Sequence, residues 1–569
     1  MRGMSDPGDL RRRAVAALEE LALLAEVAGE NPFKVRAYAN AARAIARAPE
    51  DVEALAASGE LTSLPGIGKG IAAILTELAG GEEPAQLAEL RARTPAGLAE
   101  LAVLPGLGPK RVRTLWQELG IASLGELEYA CRENRLLALA GFGAATQRHL
   151  LEAIEFRRRT ASARHLPEGL RVGEEVAAAI RAALPGAAVA AAGQARRSCE
   201  VVSEAVVVCA GPSQAALAAA LGGTLGDTRT PDPDTLAGVD LSGLPVRVVT
   251  TPPASFGAAL VWHTGSGRHV EQLAERAAAG GLRFAAGVLA DGSGNPVECA
   301  GERELYARLH LPWIPPELRE GVGEVEAAAA GALPDLIGEN DLLGAVHAHT
   351  TDSDGTASLD AMAAAATALG WAFLGIADHS RAAAYAHGLD ADRLRRQGEA
   401  IAAHNTAGRP PLLLRGTEAD VLADGRLDRP EDVPLDFVVA SVHSAFRQSI
   451  EVQTARLVRA VGHGRGTILG HPTGRLLLAR EGYGVDLEAV LQAAAASGAA
   501  VEINAHPFRL DLDWRWVRRA VALGVPISIG PDAHEPAGLA DVRWGIAVAR
   551  KGWATAADVL NARPWPWWR

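Results

Sequence analysis

The sequence predicts a multidomain protein with an all-α N-terminal region, an α/β middle region and a C-terminal (βα) barrel. The chain has 569 residues, and single cores seldom grow past about 250–300 residues. A Gly-hydrophobic-Gly pattern recurs between helical stretches within residues 1–160. From residue 340 onward, short apolar strands alternate with alanine-rich helices, and polar residues follow the strands.

The bulk composition narrows the class of protein. Hydrophobic residues make up 49% of the chain, so each domain can bury a core. There is no uninterrupted apolar run of about 18 residues and no signal-peptide pattern. The four cysteines form no CxxC pair, which predicts reduced, structural thiols in a cytoplasmic protein. The net charge of −12 does not favour nucleic acid by bulk electrostatics, although residues 1–165 are balanced in charge.

The N-terminal repeat is a tight glycine turn between two helices. It occurs at 64–71, at 104–111 and, more loosely, at 139–144. The amides that open the second helix carry partial positive charge, so they can bind a phosphate without base contacts. This is the helix-hairpin-helix module, which predicts a DNA partner. The predicted phosphate-binding residues of the first two copies are Gly66, Gly68, Lys69, Gly106, Gly108, Lys110 and Arg111.

The middle region changes to an α/β pattern. Short valine-rich runs at 201–202, 206–208 and 245–249 predict buried strands. Residues 252–320 are mixed, and 320–331 predicts a helix or linker before the last domain.

Metal-ligand residues follow the strands of the last region in a fixed order. Ten of the fifteen histidines lie after residue 340. His347 and His349 are two apart on a strand and therefore face one side, and Asp532 and His534 repeat that spacing. A carboxylate such as Glu418 can bridge two ions, so the set suits three ions with open positions for water or substrate. The nine predicted ligands are His347, His349, Asp354, His379, Glu418, His443, His471, Asp532 and His534.

Other histidines of the region receive different predictions. His387, His404 and His463 are predicted to be core or surface residues, the usual role of a lone histidine. His506 and Arg509 follow a strand end, and a substrate contact and a structural role remain equally open for them.

The C-terminal motifs resemble the PHP (polymerase and histidinol phosphatase) superfamily. The matching segments are 347–355, 377–380, 416–420, 441–444, 470–475 and 531–534. Their order is most similar to the PHP domain fused to bacterial and archaeal family X DNA polymerases. The resemblance implies a distorted (βα)7 barrel with three Mn²⁺ or Zn²⁺ ions that hydrolyses phosphoesters. It also implies catalytic roles for His347, His349, Glu418, His471 and Asp532.

The rest of the chain also resembles family X polymerases. Segment 31–38 is similar to the lyase domain and 192–209 to the nucleotidyltransferase palm. Segment 262–266 is similar to the nucleotide-binding turn of the family, and 311–320 to the end of the thumb. The resemblance implies 5′-phosphate contacts for Lys34 and Tyr38. It further implies nucleotide contacts for Arg196, Arg197, Gly265 and Ser266. The predicted domains are lyase-like 1–85, fingers-like 86–160, palm 161–252, thumb 253–320, linker 321–338 and PHP 339–569.

Departures from the family pattern suggest that the palm is inactive. The two aspartates of its Gly-Asp-x-Asp motif correspond to Glu204 and Val206, and the third carboxylate falls at Pro245. Valine and proline cannot coordinate a cation, so Mg²⁺ is not expected in the palm. Ile74 stands at the nearest match to the lyase lysine, and Gln194 replaces a serine that contacts triphosphate.

The favoured hypothesis is a 3′-5′ exonuclease in DNA repair, acting on gapped, nicked or 3′-end substrates. 3′-Phosphatase and abasic-site endonuclease activities are further possibilities within the same reaction class. Three alternatives remain: an active gap-filling polymerase with proofreading, a small-molecule phosphatase, and a DNA-end binding protein with structural metals. No membrane association is expected. The protein is expected in the cytoplasm near the nucleoid, and no oligomeric interface stands out, so a monomer is assumed.

Overall fold

The computed structural model describes residues 9–48, 52–95, 97–133, 135–160 and 162–567. The chain divides into two compact units, Met1–Ala161 and Ser162–Arg569. Within the described ranges, no helix is long and apolar enough to cross a membrane. The bounds of the six predicted domains remain predictions.

The first unit is entirely helical in its described part, as the sequence predicts. Its α-helices are α1 (Asp9–Ala28), α2 (Pro32–Arg47), α3 (Val52–Ser58), α4 (Lys69–Ala79), α5 (Ala85–Arg93), α6 (Gly97–Ala102), α7 (Pro109–Leu119), α8 (Leu124–Arg132) and α9 (Ala144–Thr160). One hydrophobic cluster joins α1 to α5, and a second joins α6 to α9.

The three glycine turns of this unit have the same geometry. The first glycine of each turn has a positive φ: +84° at Gly66, +88° at Gly106 and +84° at Gly141. Only glycine adopts this left-handed conformation without strain, which explains the repeated pattern. Each turn leads directly into a helix, α4, α7 or α9. The predicted hairpins are therefore confirmed.

The second unit begins with a mixed α/β segment. Its elements are β1 (Arg164–His165), α10 (Leu166–Ala183), β2 (Ala188–Ala192), α11 (Gly193–Arg196), β3 (Val201–Val202), β4 (Ala205–Ala210), α12 (Gln214–Leu221), β5 (Gly226–Asp232), β6 (Thr235–Val239) and β7 (Pro245–Thr251). Five strands form a sheet in the order β2-β4-β7-β6-β5, in which β4 and β7 are parallel and the other neighbours are antiparallel.

A smaller helical segment with one hairpin follows this sheet. Its elements are α13 (Phe256–Thr264), α14 (Gly267–Ala279), β8 (Arg283–Ala285), β9 (Val288–Ala290), α15 (Glu302–Arg308) and α16 (Glu324–Ala329). It has a hydrophobic cluster of its own that includes Tyr306 and Ile314. Helix α16 lies within the stretch predicted as a helix or linker.

The C-terminal part alternates strands with helices. Its elements are β10 (Gly344–Ala348), α17 (Leu359–Ala368), β11 (Phe373–Ile376), α18 (Ala391–Thr406), β12 (Leu412–Arg415), β13 (Glu418–Asp420), β14 (Val438–Ser441), α19 (Ile450–Val461), β15 (Thr467–Leu469), α20 (Leu487–Ser497), β16 (Ala500–Asn504), α21 (Trp514–Ala522), β17 (Ile527–Gly530) and α22 (Val542–Lys551). Neighbouring strands are parallel within the orders β10-β11-β12 and β13-β14-β15-β16-β17.

The two sets of parallel strands join into one closed barrel. β12 and β13 lie consecutively along β11, because the amides of Gly416 and Glu418 donate to the carbonyls of Ile376 and Ala377. Closure occurs between β10 and the end of β17, where the His349 amide donates to the Ala533 carbonyl at 2.8 Å. A parallel barrel brings the carboxyl ends of all its strands to one rim. The predicted barrel and the predicted strands 372–376, 437–440, 467–470, 500–503 and 526–529 are confirmed within one or two residues.

The assignment of Pro245 to the position of the third palm carboxylate stays a prediction. In the β4–β7 ladder, Ala205 pairs with Val246 and Val206 pairs with Arg247, and Pro245 pairs with Val239 on the other side of the strand. Valine repeats along both strands leave this register undetermined by sequence.

Candidate metal centre

All nine predicted ligands converge at the carboxyl rim of the barrel. His347 and His349 come from β10, His379 follows β11, and Glu418 begins β13. His443, His471 and Asp532 follow β14, β15 and β17, and His534 comes two residues later. Asp354 lies in the loop before α17. The barrel therefore brings together residues that are up to 187 positions apart in the sequence.

Glu418 is the carboxylate at the middle of this cluster. It is 1% exposed, and four imidazole nitrogens lie within 3.3 Å of its oxygens. They belong to His347 (3.3 Å), His379 (2.9 Å), His443 (3.3 Å) and His471 (3.0 Å). This arrangement matches the bridging role that the sequence predicts for Glu418.

Two further carboxylates complete the set. Asp532 Oδ1 lies 3.4 Å from His347 Nε2 and 3.2 Å from His349 Nε2. Asp354 lies 3.5 Å from His379 Nε2 and 3.4 Å from His534 Nε2. Three overlapping groups among these residues hold their ligand atoms within 4.8 Å of one another, so each could hold an ion.

The buried imidazole nitrogens give a second, independent indication that the cluster fits divalent cations. His347 Nε2 and both ring nitrogens of His349 are buried, and no described residue forms a hydrogen bond with them. A buried polar atom without a partner costs about 1–3 kcal/mol, so these nitrogens need an electron acceptor. Imidazole nitrogens and carboxylate oxygens suit Mn²⁺ or Zn²⁺.

The carboxylates of the cluster also favour positive charge at the centre. Burial would raise the pKa of Glu418, but the imidazoles of His379, His443 and His347 outweigh it and hold the pKa well below its usual range. Conversely, burial would lower the pKa of His379, but the Glu418 and Asp354 carboxylates raise it to about 10. In the protein alone, protons supply the charge that divalent ions would supply.

Three of the nine residues have a strained backbone. His347, His471 and Asp532 have positive φ values of 73°, 26° and 51°. Side chains other than glycine rarely adopt this region, and each such residue costs about 1–3 kcal/mol. The surrounding barrel imposes these conformations, and they aim the three side chains at the shared centre.

Three further carboxylates orient the cluster, and two of them, Glu502 and Asp420, were not predicted as site residues. His347 Nδ1 lies 2.5 Å from Glu502 on β16, and His443 Nδ1 lies 2.5 Å from Asp420 on β13. With its proton on Nδ1, each ring presents the Nε2 lone pair to the centre. Asp378 accepts hydrogen bonds from the amide and hydroxyl of Thr350 at 2.8 and 2.7 Å, which fixes the loop that leads to Asp354.

A signal for two of these residues was present in the sequence. Glu502 and Asp378 adjoin or interrupt apolar strands, and both are buried. Buried carboxylates are costly unless they are paired. An acidic residue within a strand predicted to be buried is therefore a candidate site residue even without a motif.

Arg509 lies at the edge of the cluster, with its Nε 3.7 Å from Asp532 Oδ2. The His506 ring stacks edge-on against Phe508 at 5.2 Å, and its amide donates to Asn504. Burial lowers the pKa of His506. Substrate contacts of Arg509 and His506 stay a prediction.

The three histidines predicted to be structural lie outside the ion-holding groups of the described chain. His404 is buried, and its Nε2 lies 3.1 Å from the Pro411 carbonyl oxygen. His387 and His463 are exposed.

The residues matched to the palm aspartates differ in composition from the metal-ligand cluster of the barrel. Glu204 is paired with Arg247, whose Nη2 lies 2.9 Å from the carboxylate. Val206, the second predicted position, is 4% exposed and apolar. The residues present do not fit two Mg²⁺ ions, because a guanidinium stands beside the one carboxylate.

The residues predicted to contact a nucleotide have contacts within the protein itself. Arg196 forms a bidentate ion pair with Glu302, with donor–acceptor distances of 2.6 and 2.9 Å. Arg197 Nε donates to Glu320 at 2.9 Å. Ser266 caps α14 by accepting the His269 amide at 3.1 Å, and Gly265 leaves only 2.9 Å between a hypothetical Cβ and the His269 ring. These four residues make contacts within the protein in this conformation, and their nucleotide contacts stay a prediction.

The predicted phosphate-binding residues of the first unit divide into exposed and buried ones. Lys69 and Lys110 are exposed beside the helix N-termini. Arg111 donates to the Gly106 carbonyl at 2.9 Å within its own hairpin. Lys34 pairs with Glu30 at 2.9 Å, whereas Tyr38 is only 4% exposed and belongs to the core.

Comparisons with known proteins agree with this architecture. A helix-hairpin-helix domain matches residues 11–82, a SAM-like helix-hairpin-helix tandem matches 98–155, and a DNA polymerase beta thumb matches 259–320. A probable phosphatase of Thermoanaerobacter sp. (strain X514) is 30% identical over 161 residues, which cover 26% of this chain and 63% of the relative. Another, from Caldanaerobacter subterraneus, is 33% identical over 134 residues, covering 21% and 50%.

One relative matches along nearly the whole length. The DNA polymerase/3′-5′ exonuclease PolX of Bacillus subtilis (strain 168) is 34% identical over 563 residues, which cover 97% of both chains. That length includes the helical unit, the palm and thumb segments and the barrel. The chain therefore belongs to the PolX family of DNA polymerase/3′-5′ exonucleases.

Proposed function

We propose that the protein is a metal-dependent 3′-5′ exonuclease whose hydrolytic site is the barrel centre. The observation that carries this proposal is the convergence of nine ligand side chains around the buried Glu418 carboxylate. Bound Mn²⁺ or Zn²⁺ ions would supply hydroxide near neutral pH and offset charge on the attacked phosphate. 3′-Phosphatase and abasic-site cleavage belong to the same proposal, because they use the same chemistry on related ends.

The residues of the chain have separate tasks in this reaction. The nine ligands would hold three ions, and Glu502 and Asp420 keep the rings of His347 and His443 in the ligating orientation. Arg509 beside Asp532 offers a cation for a non-bridging phosphate oxygen. The water that supplies the hydroxide releases one proton, and the leaving 3′-oxygen takes one up.

We further propose that the palm does not transfer nucleotides. Nucleotidyl transfer needs clustered carboxylates for two cations, whereas the palm offers Glu204 paired with Arg247 next to the apolar Val206. The arginines expected to hold the triphosphate are engaged with Glu302 and Glu320. The first 320 residues would then act as a DNA-binding scaffold, with exposed hairpin N-termini that grip phosphates.

One assay separates this proposal from an active polymerase. A gapped duplex with a labelled 3′ end is incubated with Mn²⁺ and all four dNTPs, using the wild type and the H347A/H349A variant. We expect the labelled strand to shorten with the wild type only, and we expect no extension with either protein. H463A, which changes an exposed histidine outside the cluster, serves as the matched control and should shorten the strand normally.

The opposite outcomes are equally informative. Extension of the primer would show that the palm retains activity and would contradict the second proposal. Equal shortening by wild type and H347A/H349A would assign hydrolysis to another site. Adding EDTA and then restoring Mn²⁺ or Zn²⁺ separately would identify the ion that supports the reaction.

A further inference from the structure

One exposed aromatic side chain lies directly beside the metal centre. Tyr385 is 66% exposed. Its ring centroid lies 5.9 Å from that of His379 and 6.3 Å from that of His443, and both contacts are edge-to-face. His379 and His443 share Glu418 in one of the ion-holding groups. An aromatic ring therefore stands beside two imidazoles that could hold an ion.

The loop that carries Tyr385 is firmly held. It lies between β11 and α18, where Ala383 and Ala386 are buried. The Leu389 amide donates to the His379 carbonyl at 2.7 Å, and the Ala382 amide donates to Asp428 at 2.5 Å. A Cβ at Gly388 would come within 1.9 Å of the Ser380 carbonyl oxygen, so the loop closes tightly on itself. Tyr385 is thus presented by a fixed loop.

Packing alone does not account for this residue. A tyrosine that serves only the core is mostly buried and finds a partner for its hydroxyl. Tyr385 leaves two thirds of its surface in solvent, and within the described chain no residue forms a hydrogen bond with its hydroxyl. Its ring contacts the imidazoles through the edge-to-face geometry, which leaves surface for a planar ligand.

We propose that Tyr385 stacks on the base of the 3′-terminal nucleotide whose phosphate is bound at the centre. Aromatic side chains bind unpaired bases by stacking, and this interaction tolerates all four bases because each has a π-face. A base inside a duplex has both faces covered by its neighbours, so Tyr385 favours 3′ ends whose terminal base has a free face. This inference rests on the proposed exonuclease function.

The test compares two DNA substrates that differ only in the terminal base. Both are single strands with the same phosphodiester, and one ends in a normal nucleotide while the other ends in an abasic tetrahydrofuran nucleotide. Stacking is typically worth a factor of about 10 or more in binding. With Mn²⁺, we expect the wild type to hydrolyse the base-bearing end with a kcat/KM about tenfold higher.

Variants at position 385 then assign this preference. Y385L keeps an apolar side chain without a ring and should reduce the ratio of the two kcat/KM values to about 1. Y385F keeps the ring without the hydroxyl and should retain the ratio within about twofold, since stacking needs no hydroxyl. L412A removes an exposed apolar side chain at the opposite end of the barrel and should leave both rates unchanged.

Each other outcome has a definite meaning. If Y385L slows both substrates equally and raises the Mn²⁺ concentration needed for half-maximal rate, Tyr385 only supports the imidazoles and the inference is wrong. A wild-type ratio near 1 also overturns it. A wild type that hydrolyses neither substrate contradicts the proposed function itself, and the inference falls with it.

Discussion

The palm and the barrel centre both place carboxylates beside side chains that can be cations, but the two regions use different cations. In the palm, Glu204 is paired with Arg247. In the barrel, Glu418 is surrounded by imidazoles. A guanidinium stays charged and offers no lone pair, whereas a neutral imidazole is a metal ligand. The chemistry of the partner therefore determines whether a carboxylate cluster needs metal ions.

The same contrast extends to neighbouring residues. Glu302, beside the palm, is paired with both Arg196 and Arg319, and those carboxylate oxygens are satisfied within the protein. The nitrogens of His347 and His349 that face the centre lie 3.2 to 3.4 Å from carboxylate oxygens but form no hydrogen bond among the described residues. The carboxylates beside the palm are thus paired with guanidinium groups, whereas those of the barrel are surrounded by imidazoles that can bind ions.

The largest expected effect comes from removing the central charge of the barrel. E418Q replaces one carboxylate oxygen by an amide and leaves four imidazoles without their shared anion. We expect hydrolysis of a labelled 3′ end to fall about 10³-fold or more, the equivalent of several kcal/mol of lost metal-based stabilisation. Bound metal, measured by elemental analysis after gel filtration, should fall in the same variant.

E204Q in the palm is the matched control, because it removes a carboxylate that is already neutralised. It should leave the rate and the metal content unchanged. A metal content in E418Q equal to that of the wild type would contradict the bridging role of Glu418.

A smaller effect is expected from the residue that orients His347. E502Q keeps the shape of the side chain but weakens its hydrogen bond with His347 Nδ1. Changes of this kind lower metal affinity or activity about 10- to 100-fold. We expect the Mn²⁺ dependence of the rate to shift to higher concentrations, with recovery of much of the rate at saturating Mn²⁺. E488Q, which changes a surface glutamate, should show the same Mn²⁺ dependence of the rate as the wild type. A lower maximal rate with unchanged Mn²⁺ dependence would show that Glu502 acts otherwise.

The sequence could predict most of this centre because polar and ionisable residues are energetically unfavourable at the buried positions they occupy. Histidines and acids directly after apolar strands have few structural explanations, and parallel strands meet at one rim. The order of His347, Glu418 and Asp532 was therefore enough to predict both the barrel and the site. Glycine turns such as that at Gly66 were predictable for a similar reason, since few residues tolerate a positive φ.

Other features depend on information that a single sequence lacks. The pairing of Val206 with Arg247 is a strand register, and alternating valines fit more than one register. Glu502 gains its role from a ring 155 residues away, and no local pattern marks that distance. Tyr385 lies in a loop whose position is set by hydrogen bonds to Asp428 and His379, so its nearness to the centre becomes visible only in the folded chain.

Acid pH should reveal how Glu302 is stabilised by arginines. Burial would raise the pKa of Glu302, but the guanidinium groups of Arg319 and Arg196 lower it from 4.5 to about 2. A lowered folded-state pKa stabilises the protein above the unfolded-state pKa, and this stabilisation is lost as the pH falls from about 4.5 to about 2. At neutral pH the contribution is about 3 kcal/mol, at 1.36 kcal/mol for each pKa unit.

Urea unfolding at pH 6 and pH 3 can measure this contribution. Ten of the eleven tryptophans lie in the second unit, so tryptophan fluorescence reports mainly on that unit. E302Q should be less stable than the wild type at pH 6, and the difference should narrow at pH 3. Equal differences at the two pH values would show that the ion pairs do not lower this pKa.

The smallest effect is expected from the palm ion pair. Arg247 and Glu204 have side chains that are 32% and 37% exposed, and pairs of this exposure contribute about 1 kcal/mol or less. R247A should therefore lower the free energy of unfolding only slightly and leave exonuclease activity unchanged. Tryptophan-monitored urea unfolding and the labelled 3′-end assay measure the two quantities.

R247A also tests the proposal that the palm does not transfer nucleotides. The variant frees the Glu204 carboxylate, but Val206 still supplies no second ligand, so a pair of ions cannot be held. We expect no primer extension by R247A with Mn²⁺ and dNTPs. Extension by this variant and not by the wild type would mean that the guanidinium alone blocks the palm, and the missing carboxylate at position 206 would then be dispensable.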